Sequence, residues 1–581
     1  MSSLSPRRAV LAVPFLLAHL AFAATADDPP ADLDCTLRPV LAPAARLEFE
    51  LAFAGDVDGA SDLALSTDSG GVLGLGSWIE GVTARDAQGK ELAVAHSDAN
   101  RWTVTHAPGA RVVLRYSVAP NERRMDPDPR VHYAPIVEFG SARGGAASAD
   151  SSPFVHLLGG LALLLPEHLA HGERTLRWRW DALPAGWTAV GVRGVGAGPF
   201  TVRDDLEHAR NAPLAAGAID VATRTVHGKP VYVAQRRTGL GFEVGALADL
   251  AARIVELERG FFDDWEYPGY VITAVPVGRA DGQGSSIGGT GLTDSFAIFL
   301  QTGTTLAAPE AGMSIPALLA HEMFHHWNGN RFAFEEPQQT SFWFSEGFTE
   351  WFARLLLRRG GFLDDAGWLA AVNRSLEEYA SNPARTKTAA ELRDAFFTDR
   401  SIGQHAYRRG DVLALRIDQE LRQRSAGTQS LDDWMRELVL RGTRGETITP
   451  ERFFALLAER TDRAFADAMR AVAIEGASMT FPADFGAPEF ALETRTAHAY
   501  ELGFDLDATL QTKKIAGTRE GSAAWKAGLR DGQELAGLSY YGADASRPVQ
   551  VTVLEAGARK DLEWMPHGAP IAVPALVRRA K

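Results

Sequence analysis

Residues 318–329, near the middle of the chain, read Leu-Leu-Ala-His-Glu-Met-Phe-His-His-Trp-Asn-Gly. Their pattern fits a helix that Ser314 can cap. On a helix, His321 and His325 lie one turn apart on one face, so both imidazoles can bind the same Zn²⁺ ion, and Glu322 projects beside them. The segment therefore predicts a metal-binding helix, and it requires a fold that brings at least one further ligand to that helix.

A carboxylate suited to be the third ligand follows 21 residues after His325. The chain from Ser341 onwards predicts a second helix, which carries Glu346 and which Gly360 ends. Glu346 is therefore the expected third metal ligand.

Two residues that follow Glu346 carry further expectations. Gly347 would cost about 1 kcal/mol relative to alanine inside an ordinary helix, so it is either incidental or the sign of a close crossing with the metal-binding helix. Glu350, one turn after Glu346, can accept a hydrogen bond from the outer nitrogen of a ligand histidine, or it can be a solvated surface glutamate.

Three protein ligands predict a catalytic metal rather than a structural one. They leave a fourth position for a water molecule, whose pKa zinc lowers to about 7, and Glu322 can accept its proton as hydroxide attacks a carbonyl. A closed structural site would need a cysteine or a further histidine, and His326 lies about 100° round the helix from His325. The sequence thus predicts one zinc ion per chain and hydrolysis of peptide bonds.

Composition and charge exclude several other classes of protein. The 581 residues carry a formal charge of −14, and no basic stripe offers a nucleic-acid surface. The single cysteine, Cys35, excludes an intrachain disulfide. The apolar fraction of 46% and the charged fraction of 23% are ordinary for globular domains, and the length predicts about three or four of them.

The first residues predict an export signal. Arg7 and Arg8 precede an apolar run from Ala9 to Phe22, and cleavage is expected after Ala23. The run is shorter than the roughly 20 residues that span a bilayer. We therefore expect a soluble periplasmic or secreted protein with no membrane span after signal removal.

Hydrophobic periodicity divides the chain after the signal peptide, residues 1–23, into three parts. Alternating apolar residues and frequent turn residues predict an all-β sandwich or saddle-shaped sheet over residues 24–243. The period becomes helical near Val244, which predicts a mainly α domain with a small β-sheet over residues 244–488. A return to strand patterning predicts another β-rich domain over residues 489–581.

Five segments of the helical part carry a common signature: His321–Asn328, Trp343–Thr349, Tyr407–Gly410, Leu415–Asp418 and Ser430–Arg436. Together they resemble the glycyl aminopeptidase family of gluzincin zinc metallopeptidases. The resemblance implies a β-rich N-terminal domain, a thermolysin-like catalytic domain and a C-terminal PDZ domain. It also implies that His321, His325 and Glu346 bind zinc and that Glu322 is the general base.

The same resemblance assigns a role to Tyr407. Its hydroxyl would donate a hydrogen bond to the oxyanion of the tetrahedral intermediate, where a positioned donor lowers the barrier. His405 is the alternative donor. Tyr407 can also simply pack its ring under the site.

One segment departs from the family pattern. In the strand-like stretch Ile287–Ser295, Gly291 stands where the family usually has a glutamate that helps to hold the substrate. Asp294 is the expected substitute for gripping the substrate ammonium group. The backbone at Gly288 and Gly289 can still bind an extended peptide by strand addition. Endopeptidase activity therefore remains open beside aminopeptidase activity.

The C-terminal segment is similar to a PDZ domain. Residues Leu502–Phe504 would form its carboxylate-binding loop, and Ala523–Ala527 its short helix, with Gly528 at the turn. Such a domain can bind a C-terminal peptide beside a strand edge. The alternative is a degenerate domain that only packs on the catalytic domain.

These observations predict an exported zinc metallopeptidase, foremost an aminopeptidase, whose partners are peptide or protein substrates. The alternatives are an endopeptidase with the same mechanism and a noncatalytic PDZ-type protein that binds peptides. The complete set of His321, Glu322, His325 and Glu346 favours the catalytic readings.

Overall fold

The computed structural model of the protein describes residues 31–41, 46–66, 75–119, 135–138, 152–191, 194–277, 287–306, 314–332, 334, 338–396 and 399–579. The expected signal peptide, residues 1–23, lies outside these residues, so its assignment stays a prediction. None of the helices in the described part of the chain is both long and apolar enough to cross a bilayer.

The first part of the chain is built from strands. They are β1 (Leu33–Val40), β2 (Arg46–Ala54), β3 (Ala60–Ala64), β4 (Ile79–Asp86), β5 (Glu91–Asp98), β6 (Arg101–Thr105), β7 (Arg111–Val118), β8 (Ile136–Glu138), β9 (Phe154–Leu158), β10 (Leu165–Pro166), β11 (Glu173–Trp180), β12 (Thr188–Gly191), β13 (Gly194–Val195), β14 (Phe200–Asp205) and β15 (Pro213–Gly217), with the short helix α1 (Leu206–Arg210) after β14.

These strands form two sheets around one core. The larger sheet has the order β10-β3-β6-β5-β4-β7-β2-β1-β11-β14 and the smaller one β13-β12-β15-β9-β8. Along β2, buried and partly exposed residues alternate, as the sequence pattern requires for a strand with one face on the core. Phe49, Phe154 and Trp178 bring both sheets into a single buried cluster. The predicted N-terminal β-rich domain is therefore confirmed.

The central part combines a five-stranded sheet with helices. Its strands are β16 (Ile219–Val226), β17 (Lys229–Arg236), β18 (Tyr270–Val277), β19 (Ile287–Leu292) and β20 (Ser295–Gln301). Its helices are α2 (Val244–Phe262), α3 (Ile315–Phe324), α4 (Phe342–Ser345), α5 (Gly347–Arg359), α6 (Asp365–Ser381), α7 (Ala389–Ala395), α8 (Arg400–Arg424), α9 (Leu431–Thr443), α10 (Pro450–Arg460) and α11 (Arg463–Arg470). The predicted helical central domain with a small sheet is thus present.

The order β16-β17-β18-β20-β19 leaves β19 at one edge of the central sheet. Every residue of β18 is buried, which is expected for a strand with parallel neighbours on both sides. The ladder extends back to Ile219, whereas the predicted domain boundary lies at residue 244. The change in hydrophobic period marks the start of the first long helix, α2. Strand pairing, however, joins β16 and β17, which precede that helix, to the same sheet as β18.

The last part of the chain is again β-rich. It contains β21 (Phe490–Tyr500), α12 (Leu506–Thr512), α13 (Ala523–Lys526), β22 (Glu534–Ser539), β23 (Val549–Glu555), β24 (Ala558–Trp564) and β25 (His567–Arg578). Strands β21 and β25 pair with each other, and β22, β23 and β24 form a separate sheet. The short helix forms where the PDZ resemblance placed it. The loop Leu502–Phe504, however, leads into α12 rather than into a strand, so the PDZ assignment stays a prediction.

Two glycines allow α8 to cross the chain of α4 and α5 at backbone contact. A Cβ atom added to Gly347 would lie 2.3 Å from the Cα of Gly410, and one added to Gly410 would lie 1.6 Å from the carbonyl oxygen of Trp343. The close crossing predicted for Gly347 therefore exists, but its partner is α8 and not the metal-binding helix.

Replacing Gly410 with alanine is expected to destabilise the central domain, because the added methyl group has no space at this crossing. Overpacking of this kind costs about 1–3 kcal/mol, which should lower the thermal unfolding midpoint by several degrees. Gly245→Ala is the matched control: its Cβ would meet only the Arg224 guanidinium at 3.6 Å, so the midpoint should stay unchanged or rise. Equal midpoints for Gly410→Ala and the wild type would contradict the crossing.

Candidate metal centre

Helix α3 presents the first two candidate ligands. The Ser314 hydroxyl caps it by accepting a hydrogen bond from the Ala317 amide at 3.3 Å. The helix ends at Phe324, and His325 is its C-cap residue. His325 still has helical dihedral angles, φ −60° and ψ −19°. The two imidazoles therefore keep the one-turn spacing that the sequence predicts.

The third candidate ligand lies between two helical segments. Glu346 separates α4 from α5, while backbone hydrogen bonds from its own amide to Phe342 and from the Glu350 amide to Glu346 keep the path nearly helical. The Ser341 hydroxyl makes no capping bond, although Gly360 ends α5 as predicted. The local break leaves the Glu346 carboxylate directed towards α3.

The three candidate ligands converge on one point. The Nε2 atom of His321 lies 3.2 Å from both Nε2 of His325 and Oε2 of Glu346, and the third side of the triangle, from His325 to Glu346, is 3.5 Å. Metal bonds of about 2.0–2.1 Å in a tetrahedral arrangement place neighbouring donor atoms about 3.3–3.4 Å apart. The donor set His-His-Glu and its spacing therefore fit a zinc ion with one position left for water.

Within this triangle, the charge of His325 and the charge of Glu346 each stabilise the other. Burial disfavours the imidazolium form of His325, but the charge and hydrogen bond of Glu346, together with the charge of Glu322 and a hydrogen bond to the Asn328 backbone, outweigh it and raise the pKa of His325 to about 9. Burial acts against ionisation of Glu346 too, yet His325 and His321 hold its pKa well below the usual value. A positive charge is therefore strongly favoured at this position, and a divalent cation can supply it in place of the proton.

Glu322 lies where it can serve as a base beside these ligands. Its Oε2 atom accepts a hydrogen bond of 2.9 Å from the backbone amide of Gly291 on the edge strand β19. A Cβ atom at Gly291 would lie 2.5 Å from the Glu322 carbonyl oxygen. The edge strand thus approaches α3 so closely that no side chain fits at this position, which gives a physical reason for glycine where the family usually has glutamate.

Glu350 lies on the outer side of His321. Its Oε1 atom is 3.8 Å from Nδ1 of His321, a nitrogen that is buried and has no hydrogen-bond partner among the described residues. The other oxygen of Glu350 lies 3.6 Å from the Arg408 guanidinium, and Arg408 also binds Glu378. Sequence reasoning missed Arg408 and Glu378, because only the folded helices bring α5, α6 and α8 together.

Tyr407 on α8 lies against the ligand cluster. Its ring stacks on that of His321, with the ring centroids 5.9 Å apart. Burial, together with the negative charges of Glu346 and Glu322, raises the pKa of Tyr407 well above its usual value, so the hydroxyl stays protonated. It is therefore a hydrogen-bond donor at any ordinary pH.

His405, the alternative donor, has different neighbours. It is fully buried, its ring stacks on Tyr379 at 5.5 Å, and neither ring nitrogen has a partner among the described residues. Burial and the nearby charges of Arg409 and Arg385 hold its pKa well below the usual value. His405 is thus a neutral core histidine.

Asp294 is not placed as predicted. Its carboxylate is only 9% exposed and accepts a hydrogen bond of 2.8 Å from Arg259, so it is not available to a substrate ammonium group. The turn between β19 and β20 carries it away from the exposed edge and towards α2. Gly288 and Gly289 do lie on β19, as predicted, and a Cβ atom at Gly288 would meet nothing.

His326 has neighbours other than the three candidate ligands. Its ring accepts a hydrogen bond from Arg331 at 3.2 Å and lies 3.7 Å from Asp264. Burial lowers the pKa of His326 even though Asp264 opposes that effect.

Asn328 connects the two segments that carry the candidate ligands, and sequence reasoning assigned it no role. Its amide nitrogen donates to the carbonyl oxygens of Phe344 and Ser345 and to the Thr349 hydroxyl, at 3.0–3.3 Å. Its own carbonyl oxygen lies 3.1 Å from Nδ1 of His325. Asn328 is fully buried, and in the sequence only its position just beyond the histidine pair pointed to it.

Comparison with known proteins agrees with this geometry. Residues 315–406 match the family model of the M61 glycyl aminopeptidase. The match covers 92 of the 581 residues and supports the glycyl aminopeptidase family. The resemblance inferred from the sequence is thereby confirmed, and with it the prediction that the chain is a peptidase. No curated protein sequence matches the chain.

Two solved structures are similar to this chain. An aminopeptidase N family protein from Idiomarina loihiensis matches with a TM-score of 0.68 and 16% identity, over 94% of this chain and 98% of the other. The M1 zinc metallopeptidase from Deinococcus radiodurans matches with a TM-score of 0.47 and 18% identity, over 77% of this chain and 94% of the other. The first of these supports a shared architecture along nearly the whole chain.

Replacing Asn328 with alanine is expected to weaken zinc binding, because the bonds between the two ligand segments are lost. Removing groups that orient metal ligands typically costs about 10–100-fold in metal affinity. Competition with a chromophoric chelator measures this affinity directly. Asn330→Ala, at an exposed position two residues away, is the control and should leave the affinity unchanged. Equal zinc affinity in both variants would contradict the connecting role.

Proposed function

We propose that the chain is an exported zinc-dependent aminopeptidase that hydrolyses peptide bonds. The observation that carries the proposal is the triangle of His321, His325 and Glu346, whose sides of 3.2–3.5 Å suit a tetrahedral zinc ion. Export to the periplasm or the medium rests on the apolar run within residues 1–23 alone.

In this proposal two histidines and one glutamate hold the ion, and Glu350 orients one of the histidines. Zinc, when bound, supplies a water molecule of lowered pKa and polarises the substrate carbonyl. Glu322 takes the proton of the attacking water and later delivers it to the leaving amine. The Gly291 amide fixes the Glu322 carboxylate at 2.9 Å, so the base does not have to be ordered during the reaction.

Tyr407 donates its hydroxyl hydrogen to the developing oxyanion. Its position against His321 and its raised pKa support this role, because the group must carry a proton when negative charge develops on the carbonyl oxygen. A partly buried aromatic ring on α8 that stacks on His321 also stays in place without help from the substrate.

Replacing Glu322 with glutamine is expected to abolish peptide cleavage while zinc stays bound, because the amide keeps the shape but cannot accept the proton. The loss should be at least about 100-fold in kcat, which is the usual contribution of a positioned base. Glu256→Gln, on the exposed side of α2, is the matched control. Undiminished turnover by Glu322→Gln at full zinc occupancy would refute the assignment.

A second candidate is an endopeptidase with the same chemistry. Gly291 leaves no room for the side chain with which the family usually holds the substrate, and Asp294 is bound to Arg259. Along the described part of β19, recognition would then rely on the backbone of the strand edge, which binds extended peptides irrespective of a free amino terminus.

Matched peptides with free and acetylated amino termini separate the two candidates. For the aminopeptidase, we expect single residues to be released from the free peptides only, and the reaction to stop when a chelator removes the metal. Mass spectrometry of the products measures both features. Internal cleavage of the acetylated peptides at a comparable rate would favour the endopeptidase.

The noncatalytic reading gains no support from the C-terminal domain. A PDZ-type ligand needs a strand edge beside the carboxylate-binding loop, and the loop Leu502–Phe504 is followed by α12. Packing on the catalytic domain is the better supported role: the Asn373 side chain on α6 exchanges two hydrogen bonds with the backbone of Leu576 on β25.

A further inference from the structure

A polar cleft of about 260 Å³ lies between α6 and the C-terminal domain. Helix α6 contributes Arg374, Glu377, Glu378 and Ser381, and the C-terminal domain contributes Arg495 and Asp544. A single buried water molecule requires roughly 10–15 Å³. The cleft is therefore large enough for a small organic ligand.

Ser381, at the end of α6, is the first sign that the cleft is a binding site. The residue is only 2% exposed, and its hydroxyl has no hydrogen-bond partner among the described residues. Most buried hydroxyl groups in proteins are paired. A buried hydroxyl without a partner, on a residue that lines the cleft, is a candidate hydrogen-bond donor to a ligand bound there.

The charges that line the cleft form a second, independent sign. No salt bridge within the described residues involves Arg374, Arg495 or Glu377, although the chain has many surface arginines that do pair. Glu378 is neutralised by Arg408, and one oxygen of Asp544 already accepts two hydrogen bonds from Ser546. Among the described residues, the lining groups without a salt bridge are thus the guanidinium groups of the exposed Arg374 and Arg495 and the carboxylates of Glu377 and Asp544.

A lining of this composition suits one kind of ligand. A simple anion would meet the two carboxylates, and a simple cation would meet the two guanidinium groups. A ligand with both an ammonium and a carboxylate group can satisfy the two signs together, and it can also accept the Ser381 hydroxyl hydrogen.

The cleft is joined to the metal centre by direct contacts. Glu378 lines the cleft and binds Arg408, Arg408 lies 3.6 Å from Glu350, and Glu350 lies 3.8 Å from His321. Amino acids and short peptides released at the metal centre would therefore form close to this second site.

We propose that the cleft between α6 and the C-terminal domain binds a zwitterionic amino acid or dipeptide, the product class of a peptidase. Arg374 and Arg495 hold the carboxylate together with the Ser381 hydroxyl, and Glu377 and Asp544 hold the ammonium group. Only the identity of the ligand rests on the proposed peptidase function; the site itself is separate from the metal ligands.

Calorimetric titration of the full-length protein with L-alanine tests the proposal, once with zinc and once after treatment with a chelator. We expect saturable binding in both forms, with a Kd on the order of 1 mM for so small a ligand. N-acetyl-L-alanine and L-alaninamide, which each lack one charge, should bind at least about tenfold more weakly. Neither titration needs turnover, so a failure of the proposed catalysis would not affect these results.

The double variant Arg374→Ala/Arg495→Ala should lose binding, and the milder Ser381→Ala should weaken it while leaving the thermal unfolding midpoint unchanged. Arg463→Ala, at an exposed position on α11, is the control and should bind as the wild type does. Three results would overturn the proposal: no saturable binding of L-alanine, binding that disappears with the metal and ignores the arginine variants, or binding of either singly charged analogue as tight as that of L-alanine.

Discussion

The centre of this protein depends on three electron-pair donors that are held within 3.5 Å of one another and are largely buried. Two imidazole nitrogens that face each other at 3.2 Å cannot both present lone pairs without a positive charge between them. The neighbouring side chains hold the three donors at these distances instead of letting them move apart. Tyr407 covers one side of the cluster, and Glu350 stands behind the outer nitrogen of His321. Only with a cation bound do these closely spaced donor groups therefore attract a common partner instead of repelling one another.

The backbone brings the donors together by close approach at glycines. Gly347 and Gly410 let α8 lie against the chain that carries Glu346, and Gly291 lets the edge strand reach the base. Both contacts place a backbone group where a side chain would otherwise keep the elements apart. Asn328 then joins the turn after α3 to the segment before α5 through three donated hydrogen bonds. Positions on packed helices vary less than positions on loops, so the donor geometry is built into the fold.

The sequence predicted those parts of the site that depend on local periodicity. The one-turn spacing of His321 and His325 and the position of Glu346 follow from helical geometry and motif spacing, so they needed no tertiary information. Asp294 was misplaced because its ion pair with Arg259 joins residues 35 positions apart. The domain boundary, the helical crossing partner of Gly347 and the role of Asn328 likewise depend on contacts between distant segments. The PDZ-like loop had the expected residues, yet α12 follows it in place of a strand.

Arg408 links two parts of the molecule whose connection no local sequence pattern indicates. Its guanidinium group binds Glu378 at the wall of the interdomain cleft and faces Glu350 behind a candidate zinc ligand. Burial and the charge of Asp544 raise the pKa of Glu378, although Arg408 opposes them. Both carboxylates draw on the donors of this one guanidinium group, so the contact that Arg408 makes with Glu378 at the cleft wall limits the donors left for Glu350 behind His321.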